Sequence, residues 1–173
     1  MVVPVARGDL RAQQWVGQPA LRIHADFAFR SASTEVDTPL LQAYEQRAGV
    51  CQDFAHLMIA ALRMQGLAAR YVSGYLLTRP PPGQEPLVGA DASHAWVQVW
   101  CPGTPGVPVT GASAGWLDLD PTNDLVPGTG HVRVAVGRNY VDATPTSGTI
   151  YVGGGQEQLD VQVFVEALDP PAR

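Results

Sequence analysis

The longest amphipathic run of the chain lies between Cys51 and Gln65. It contains neither glycine nor proline, and its apolar residues recur three and four positions apart, at 54, 57, 58, 61 and 62. This spacing is typical of the buried face of a helix. Because the opposite side of the run is also fairly apolar, the pattern predicts a central helix that other elements cover on most sides.

A second, shorter helix is predicted at about residues 39–47. Thr38 places a capping hydroxyl just before Pro39, proline is favoured at the first helical position, and Gly49 follows the periodic run as a stop signal. The preceding segment, residues 21–30, is amphipathic but fits a helix and a strand equally well. Its secondary structure is left open.

Strand patterns dominate the second half of the chain. β-forming residues or strict alternation of apolar and polar residues occur at 68–77, 95–100, 116–120, 131–136 and 158–168. Stretches rich in proline and glycine separate several of these strands and are interpreted as surface loops, at 78–93 and 101–115. Helices followed by strands, without regular βαβ alternation, indicate an α+β fold with a mostly antiparallel sheet.

The composition supports one folded domain. Hydrophobic residues make up 46% of the 173 residues and charged residues 16%, which is typical of a packed globular chain. A net charge of -5 provides no basic surface for nucleic acid. No apolar stretch reaches the ~20 residues of a membrane span, and the N-terminal residues lack a signal-peptide pattern. We therefore expect no nucleic-acid or membrane partner and a cytoplasmic location.

Two cysteines are too few for a disulfide framework in a chain of this length, so each is considered as a thiol. Cys51 begins the long helix, where free backbone N–H groups and the helix dipole favour a thiolate and can stabilise an oxyanion. This is a suitable position for a nucleophile, although an isolated cysteine is more often a small buried apolar residue. Cys101 opens a Pro/Gly loop and is interpreted as incidental.

His94 and Asp120 come together if residues 94–100 and 116–120 form an antiparallel hairpin. The start of the first strand then lies beside the end of the second, and both side chains fall on the same face of the sheet. A carboxylate bonded to one imidazole nitrogen leaves the other nitrogen free to take a thiol proton. Asp118 shares this face and is the rival candidate for the orienting carboxylate.

Three stretches carry a family resemblance, in matching order and with comparable intervals. They are GVCQDFAHLMIAALRMQGLAARYVSGYL (49–76), ASHAWVQVW (92–100) and GWLDLDPTND (115–124). With a weaker match at 131–148, the sequence resembles the bacterial transglutaminase-like superfamily of cysteine peptidases over about residues 20–165. The resemblance implies a papain/transglutaminase-like core, whose central helix carries the cysteine at its N-terminus and packs on an antiparallel sheet.

The same resemblance assigns a role to each of the three candidate residues. It implies Cys51 as the nucleophile, His94 as the base and Asp120 as the orienting acid. Two positions depart from the family's pattern, because Gln98 stands where glutamate is usual and Asn139 where aspartate is usual. Both lie outside the triad, so they concern substrate contacts rather than the nucleophile.

Longer members of this bacterial group carry an N-terminal β domain. We therefore expect residues 1–20 to be a stub of uncertain structure and residues 21–173 to form the catalytic domain. The chain is then either a fragment or a minimal form.

The expected activity is thiol acyl transfer on peptide or carboxamide bonds through a thioester, with a peptide or protein as the substrate. Hydrolysis, as in a cysteine peptidase or amidase, is favoured. Resolution of the thioester by an amine, as in a transglutaminase, is the first alternative. A peptide-binding domain without turnover is the second. The oligomeric state is left open.

Other residues in these motifs have more than one interpretation. Trp96 and Trp100 share the strand face of the candidate base, and they either line the substrate channel or only pack. Asp53 is expected to cap the helix start rather than tune the site electrostatically. His56 follows the cysteine by five positions, about 140° around the helix, and is expected to be structural.

The remaining histidines, His24 and His131, have no ligand spacing around them. The chain also contains no CxxC or HExxH motif. We therefore expect no metal site and no cofactor.

Overall fold

Helices form the N-terminal half of the fold and an antiparallel sheet forms the rest. The computed structural model describes residues 10–78, 83, 87–88, 93–103, 107–108, 110–111, 113–144 and 163–167. The elements are α1 (Leu10–Asp26), β1 (Ala28–Phe29), α2 (Leu40–Gln46), β2 (Ala48–Gly49), α3 (Cys51–Met64), β3 (Ala69–Leu76), β4 (Ser93–Trp100), β5 (Trp116–Leu119), β6 (His131–Gly137) and a 3-10 turn (Tyr140–Ala143). The predicted α+β class is confirmed.

The main sheet has the strand order β5-β4-β3-β6, and all of its neighbouring strands are antiparallel. β1 and β2 form a separate two-stranded parallel pair that precedes α3. The predicted strand at 158–168 falls mostly outside the described residues. Within it, the backbone of Val165 hydrogen-bonds to Thr78, just after β3.

α3 packs along one face of the main sheet and forms the core with it. Phe54, Met58 and Leu62 from the helix are buried against Val97 and Val99 of β4. These are the apolar positions that the helical and strand periodicities predict. Burial of each large apolar side chain contributes roughly 1.5–3 kcal/mol, so this interface fixes α3 relative to β4.

α1 covers the side of α3 that the sheet leaves open. Ala20 and Ile23 of α1 are buried in the core, and the helix ends at Asp26, just before β1. The segment 21–30, whose secondary structure the sequence leaves undecided, is therefore helical up to Asp26 and forms a strand at Ala28–Phe29. α1 also runs across position 20, where the sequence suggests the end of a stub. No helix of the described residues is both long and apolar enough to cross a bilayer.

α2 is shorter than the predicted 39–47 helix by one residue at each end. Pro39 occupies the N-cap position, and the helix stops at Arg47, whose φ of 52° is left-handed. The Thr38 hydroxyl accepts a hydrogen bond from the backbone N–H of Glu35 instead of capping the helix. The sequence signal located the helix correctly but assigned the hydroxyl to the wrong partner.

Candidate active site

Cys51 is the first residue of α3, as the sequence predicts. Before it the chain is extended, and the Asp53 carboxylate accepts hydrogen bonds from the Val50 N–H at 2.8 Å and the Thr34 hydroxyl at 2.6 Å. The expected capping role of Asp53 is confirmed. Gly49 permits this arrangement, since a Cβ there would lie 2.7 Å from an Asp53 oxygen.

A cleft of about 340 Å³ opens beside the start of α3. The Gln52 side chain donates to the Val36 carbonyl at 2.9 Å, which holds the segment before α2 as one wall. Among the residues that the structure describes, the lining contains histidine but no lysine, arginine, aspartate or glutamate. It consists of Phe29, Ser31, Ala32, Val36, Val50, Cys51, Gln52, Tyr71, Ser73, Ser93, His94, Ala95 and Tyr140.

The β4–β5 hairpin brings His94 and Asp120 together. Trp100 pairs with Trp116 next to the connecting loop, and the pairing continues to Val97 and Leu119. At the open end, His94 Nε2 lies 2.9 Å from Asp120 Oδ2, and both side chains are fully buried. The predicted hairpin and its side-chain parity are confirmed.

The second ring nitrogen of His94 is turned away from Asp120. Nδ1 is buried and has no hydrogen-bond partner among the described residues. The Cys51 sulfur lies 4.0 Å from the carbonyl oxygen of Ser93, the residue before His94. Burial alone would lower the pKa of His94, but the interactions with Asp120 and Cys51 raise it to about 9. The arrangement therefore favours an imidazolium beside the thiol.

Asp120 is held by several donors besides His94. Oδ1 accepts from the backbone N–H groups of Thr122 at 2.9 Å and Asn123 at 3.3 Å. Oδ2 accepts from the Asn123 amide at 2.8 Å and from His131 Nε2 at 3.1 Å. Burial would raise the pKa of this carboxyl, but the hydrogen bonds from His131 and His94 lower it well below its usual range. Asp120 is thus an ionised, fixed acceptor.

The contact of His131 with Asp120 is a feature that the sequence reasoning missed. His131 begins β6, which lies beside β3 rather than beside the β4–β5 hairpin. The ligand atoms of His94, Asp120 and His131 lie within 4.8 Å of one another, a spacing that a metal ion could use. In this structure the same atoms are joined by hydrogen bonds. The expectation of no metal remains untested.

Asp118, the rival carboxylate, has other partners. It accepts hydrogen bonds from Trp96 Nε1 at 2.8 Å and Gln98 Nε2 at 2.9 Å. Gln98 in turn accepts from Arg70 Nε at 2.8 Å. Gln98 stands directly between Arg70 and Asp118 in the strand register. An amide can accept from one and donate to the other, whereas the family's usual glutamate could not donate to Asp118.

Comparison with known sequences agrees with this geometry. The sequence profile described as the Transglutaminase-like superfamily matches residues 11–121, which includes Cys51, His94 and Asp120. The chain belongs to the transglutaminase-like superfamily. Members of this superfamily have cysteine-protease-like or transglutaminase-like activities, and the mixed helix and sheet fold agrees with that assignment.

Individual relatives and one solved structure extend the match. An uncharacterized protein of Mycobacterium tuberculosis is 48% identical over 153 residues, 88% of this chain and 47% of the relative. The chain thus spans about half the length of this relative. A Pseudomonas aeruginosa protein-glutamine gamma-glutamyltransferase is 35% identical over 85 residues, 49% of this chain and 11% of that protein. A proposed cysteine protease from Cytophaga hutchinsonii has 32% identity and a TM-score of 0.58, covering 75% of this chain and 37% of that one.

The two tryptophans of β4 do not line the cleft of this transglutaminase-like domain. Trp96 is only 1% exposed, and its ring stacks on His94 with the ring centres 6.3 Å apart. Trp100 is 43% exposed and packs against Trp116 at the far end of the strand. A substrate contact by either tryptophan is still only a prediction.

The other residues considered from sequence lie away from the thiol or have structural partners. His56 Nε2 accepts a hydrogen bond from the backbone N–H of Tyr140, which agrees with a structural role. Burial lowers the pKa of His56, so its ring is suited to accept. Cys101 is buried, with its sulfur 3.6 Å from the Val99 carbonyl oxygen. His24 Nδ1 lies 2.8 Å from the Thr122 carbonyl oxygen.

Proposed function

We propose that the chain is a thiol acyl-transfer domain that hydrolyses peptide or carboxamide bonds through Cys51, His94 and Asp120. The observation that carries the proposal is the position of His94. Its Nε2 is bonded to a buried carboxylate, and its Nδ1 has no hydrogen-bond partner in the described part of the chain. The ring also borders a cleft that Cys51 lines. This is the arrangement that a general base needs to activate a thiol.

The reaction begins with attack of the Cys51 thiolate on the substrate carbonyl carbon. Negative charge then develops on the carbonyl oxygen, and the first N–H groups of α3, which lack intrahelical acceptors, can stabilise it. The His94 imidazolium gives its Nδ1 proton to the leaving nitrogen, so that an amine or ammonia departs and a thioester forms. Asp120 keeps Nε2 bonded and the ring oriented throughout.

In the second half of the reaction His94 acts as a base. Its Nδ1 takes a proton from water, the hydroxide adds to the thioester carbonyl, and the Cys51 sulfur leaves as a thiolate. The product is a carboxylic acid, and the enzyme returns to its starting state. The described residues that line the cleft include no lysine, arginine, aspartate or glutamate, which favours a substrate whose side chain next to the scissile bond is uncharged.

Amine transfer is the second candidate. It differs from hydrolysis only in the nucleophile that resolves the thioester. The Pseudomonas aeruginosa relative named protein-glutamine gamma-glutamyltransferase supports it over 49% of this chain. The proposed Cytophaga hutchinsonii cysteine protease supports hydrolysis over 75% of the chain. Because this second match is longer and includes a similar structure, hydrolysis is the primary proposal.

The two candidates can be separated in one experiment. The protein is incubated with a glutamine-rich protein substrate and a fluorescent primary amine, and the products are examined by gel fluorescence, mass spectrometry and ammonia release. Cleaved fragments or ammonia without incorporated amine support hydrolysis. Incorporated amine supports transglutamination.

The matched control uses the two cysteines of the chain. Cys51→Ser should abolish either activity, whereas Cys101→Ser should retain it because that sulfur is buried away from the cleft. Turnover by Cys51→Ser equal to that of the wild-type protein would overturn the role of Cys51, and absence of turnover by the wild-type protein would leave a peptide-binding domain.

A further inference from the structure

A second imidazole contacts the same carboxylate oxygen as the candidate base. Asp120 Oδ2 lies 2.9 Å from Nε2 of His94 and 3.1 Å from Nε2 of His131. The His131 side chain is 3% exposed, and the Asp120 side chain is fully buried. An ionised carboxylate only accepts hydrogen bonds, so each of these nitrogens is the donor.

Packing fixes the His131 ring in this position. The ring meets Trp96 edge to face, with the centres 5.2 Å apart, and Trp96 itself stacks on His94. Gly74 of β3 lies beneath the Trp96 ring, since a Cβ there would come within 2.6 Å of it. The two histidines, the tryptophan and the glycine therefore form one packed group.

The two oxygens of Asp120 are held in different ways. Backbone N–H groups of Thr122 and Asn123 hold Oδ1, so that oxygen is fixed by the turn that follows β5. The partners of Oδ2 among the described residues are the side chains of His94, His131 and Asn123. Three donors share the lone pairs of Oδ2, and His131 therefore both orients the carboxylate and competes with His94 for it.

We propose that His131 is a positioning residue, which acts through Asp120 to set the orientation of His94 and the strength of its hydrogen bond. The inference rests on the proposed function, because it gives His131 a part in the same reaction. It assigns His131 no contact with the substrate. Its effect is expected on the chemical step and on the proton affinity of His94, with little effect on substrate binding.

The test compares three forms of the protein: wild type, His131→Leu and His131→Gln. Leucine fills similar space without a donor, whereas the glutamine amide offers an N–H group at nearly the reach of Nε2. Titration of the His94 ring nitrogens by NMR reads the proton affinity directly and needs no turnover. A peptide substrate from the preceding experiment gives kcat and KM.

In His131→Leu, we expect the His94 titration midpoint to rise, because Asp120 loses a competing donor and bonds His94 more strongly. The kcat should fall roughly 10- to 100-fold, as for the loss of a hydrogen bond to a charged group, with KM changed less than about twofold. His131→Gln should restore most of the wild-type midpoint and kcat.

A folded His131→Leu protein with an unchanged His94 midpoint would overturn the proposal. If the leucine variant does not fold, His131→Asn replaces it, since its amide is one methylene shorter than that of glutamine and should fail to reach Asp120. The two proposals fail separately. Lack of turnover in the wild-type protein refutes the proposed function, whereas the NMR midpoints decide the role of His131 in either case.

Discussion

Asp120→Asn tests whether the buried carboxylate controls the protonation of His94. Asparagine is nearly isosteric, and its carbonyl oxygen can still accept from His94 Nε2, as in thiol enzymes with a Cys-His-Asn arrangement. The substitution therefore keeps the orientation of the ring but removes the negative charge. Asp120→Ala removes both.

The magnitude follows from the His94 environment. Its pKa is raised from 6.5 to about 9, which at ~1.36 kcal/mol per unit corresponds to about 3 kcal/mol in favour of the imidazolium. Burial acts in the opposite direction, and Asp120 is foremost among the groups that overcome it. Without the carboxylate charge, we expect the His94 pKa to fall to about 6.5 or below.

The assay is an NMR titration of the histidine rings, in which His94→Gln identifies the His94 signal among the four histidines. Asp118→Asn is the matched control, because Asp118 lies on the same strand face but bonds Trp96 and Gln98 instead. It should leave the midpoint near 9.

Two results would refute this reasoning. One is a midpoint that stays near 9 in Asp120→Asn, which would mean that the carboxylate charge does not hold the proton. The other is an equal fall in Asp118→Asn, which would mean that any charge on this sheet face is sufficient. Activity is expected to be highest in the wild-type protein, lower in Asp120→Asn and lowest in Asp120→Ala.

Three further predictions concern stability. The folded-state pKa of His94 is raised to about 9, so its contribution to the free energy of unfolding should be full below pH ~6.5 and should be lost as the pH rises through 9. The loss is up to about 3 kcal/mol. Urea unfolding at pH 6 and pH 9.5 should show it, and the loss should be smaller in His94→Gln. Gly74→Ala should lower the free energy of unfolding by roughly 1–3 kcal/mol, because its Cβ would clash first with the Val132 carbonyl oxygen and next with the Trp96 ring; an unchanged thermal midpoint would contradict the close approach of β6 and Trp96 to Gly74. Asp53→Ala should cost about 1–2 kcal/mol by leaving the Val50 N–H without its acceptor, and Asp53→Asn should cost less, as calorimetry can measure.

Local periodicity predicted the parts of the site that depend on one element or one hairpin. The bounds of α3 follow from its uninterrupted helical pattern, and the pairing of His94 with Asp120 follows from strand parity across a single connecting loop, residues 101–115. In both cases the residues that decide the structure lie in one element or in two strands that follow each other in the chain. The position of Cys51 at the helix start was accessible for the same reason.

Features that depend on the order of strands in the sheet were not accessible. His131 reaches Asp120 because β6 pairs with β3 and the chain after β5 turns back through the Asp120–Leu125 bridge. The alternation of apolar and polar residues within β6 indicates neither the strand order nor the Asp120–Leu125 bridge. The sequence shows that Gln98 replaces the family's usual glutamate. The reason is that its amide hydrogen-bonds both Arg70 and Asp118, and this can be seen only from the register of three strands.

α1 is attached to the elements that support both Cys51 and Asp120. Its Ala20 and Ile23 pack in the core with α3, and its His24 bonds the Thr122 carbonyl, two residues after Asp120. α1 therefore links α3, which carries the Cys51 sulfur, to the turn that begins at Asp120. A shortened protein that begins at residue 21 would keep every reacting group and still lose part of this link between α3 and the turn. Its expected defect is slower chemistry with an intact thiol, a loss that a survey of the reacting residues alone would not anticipate.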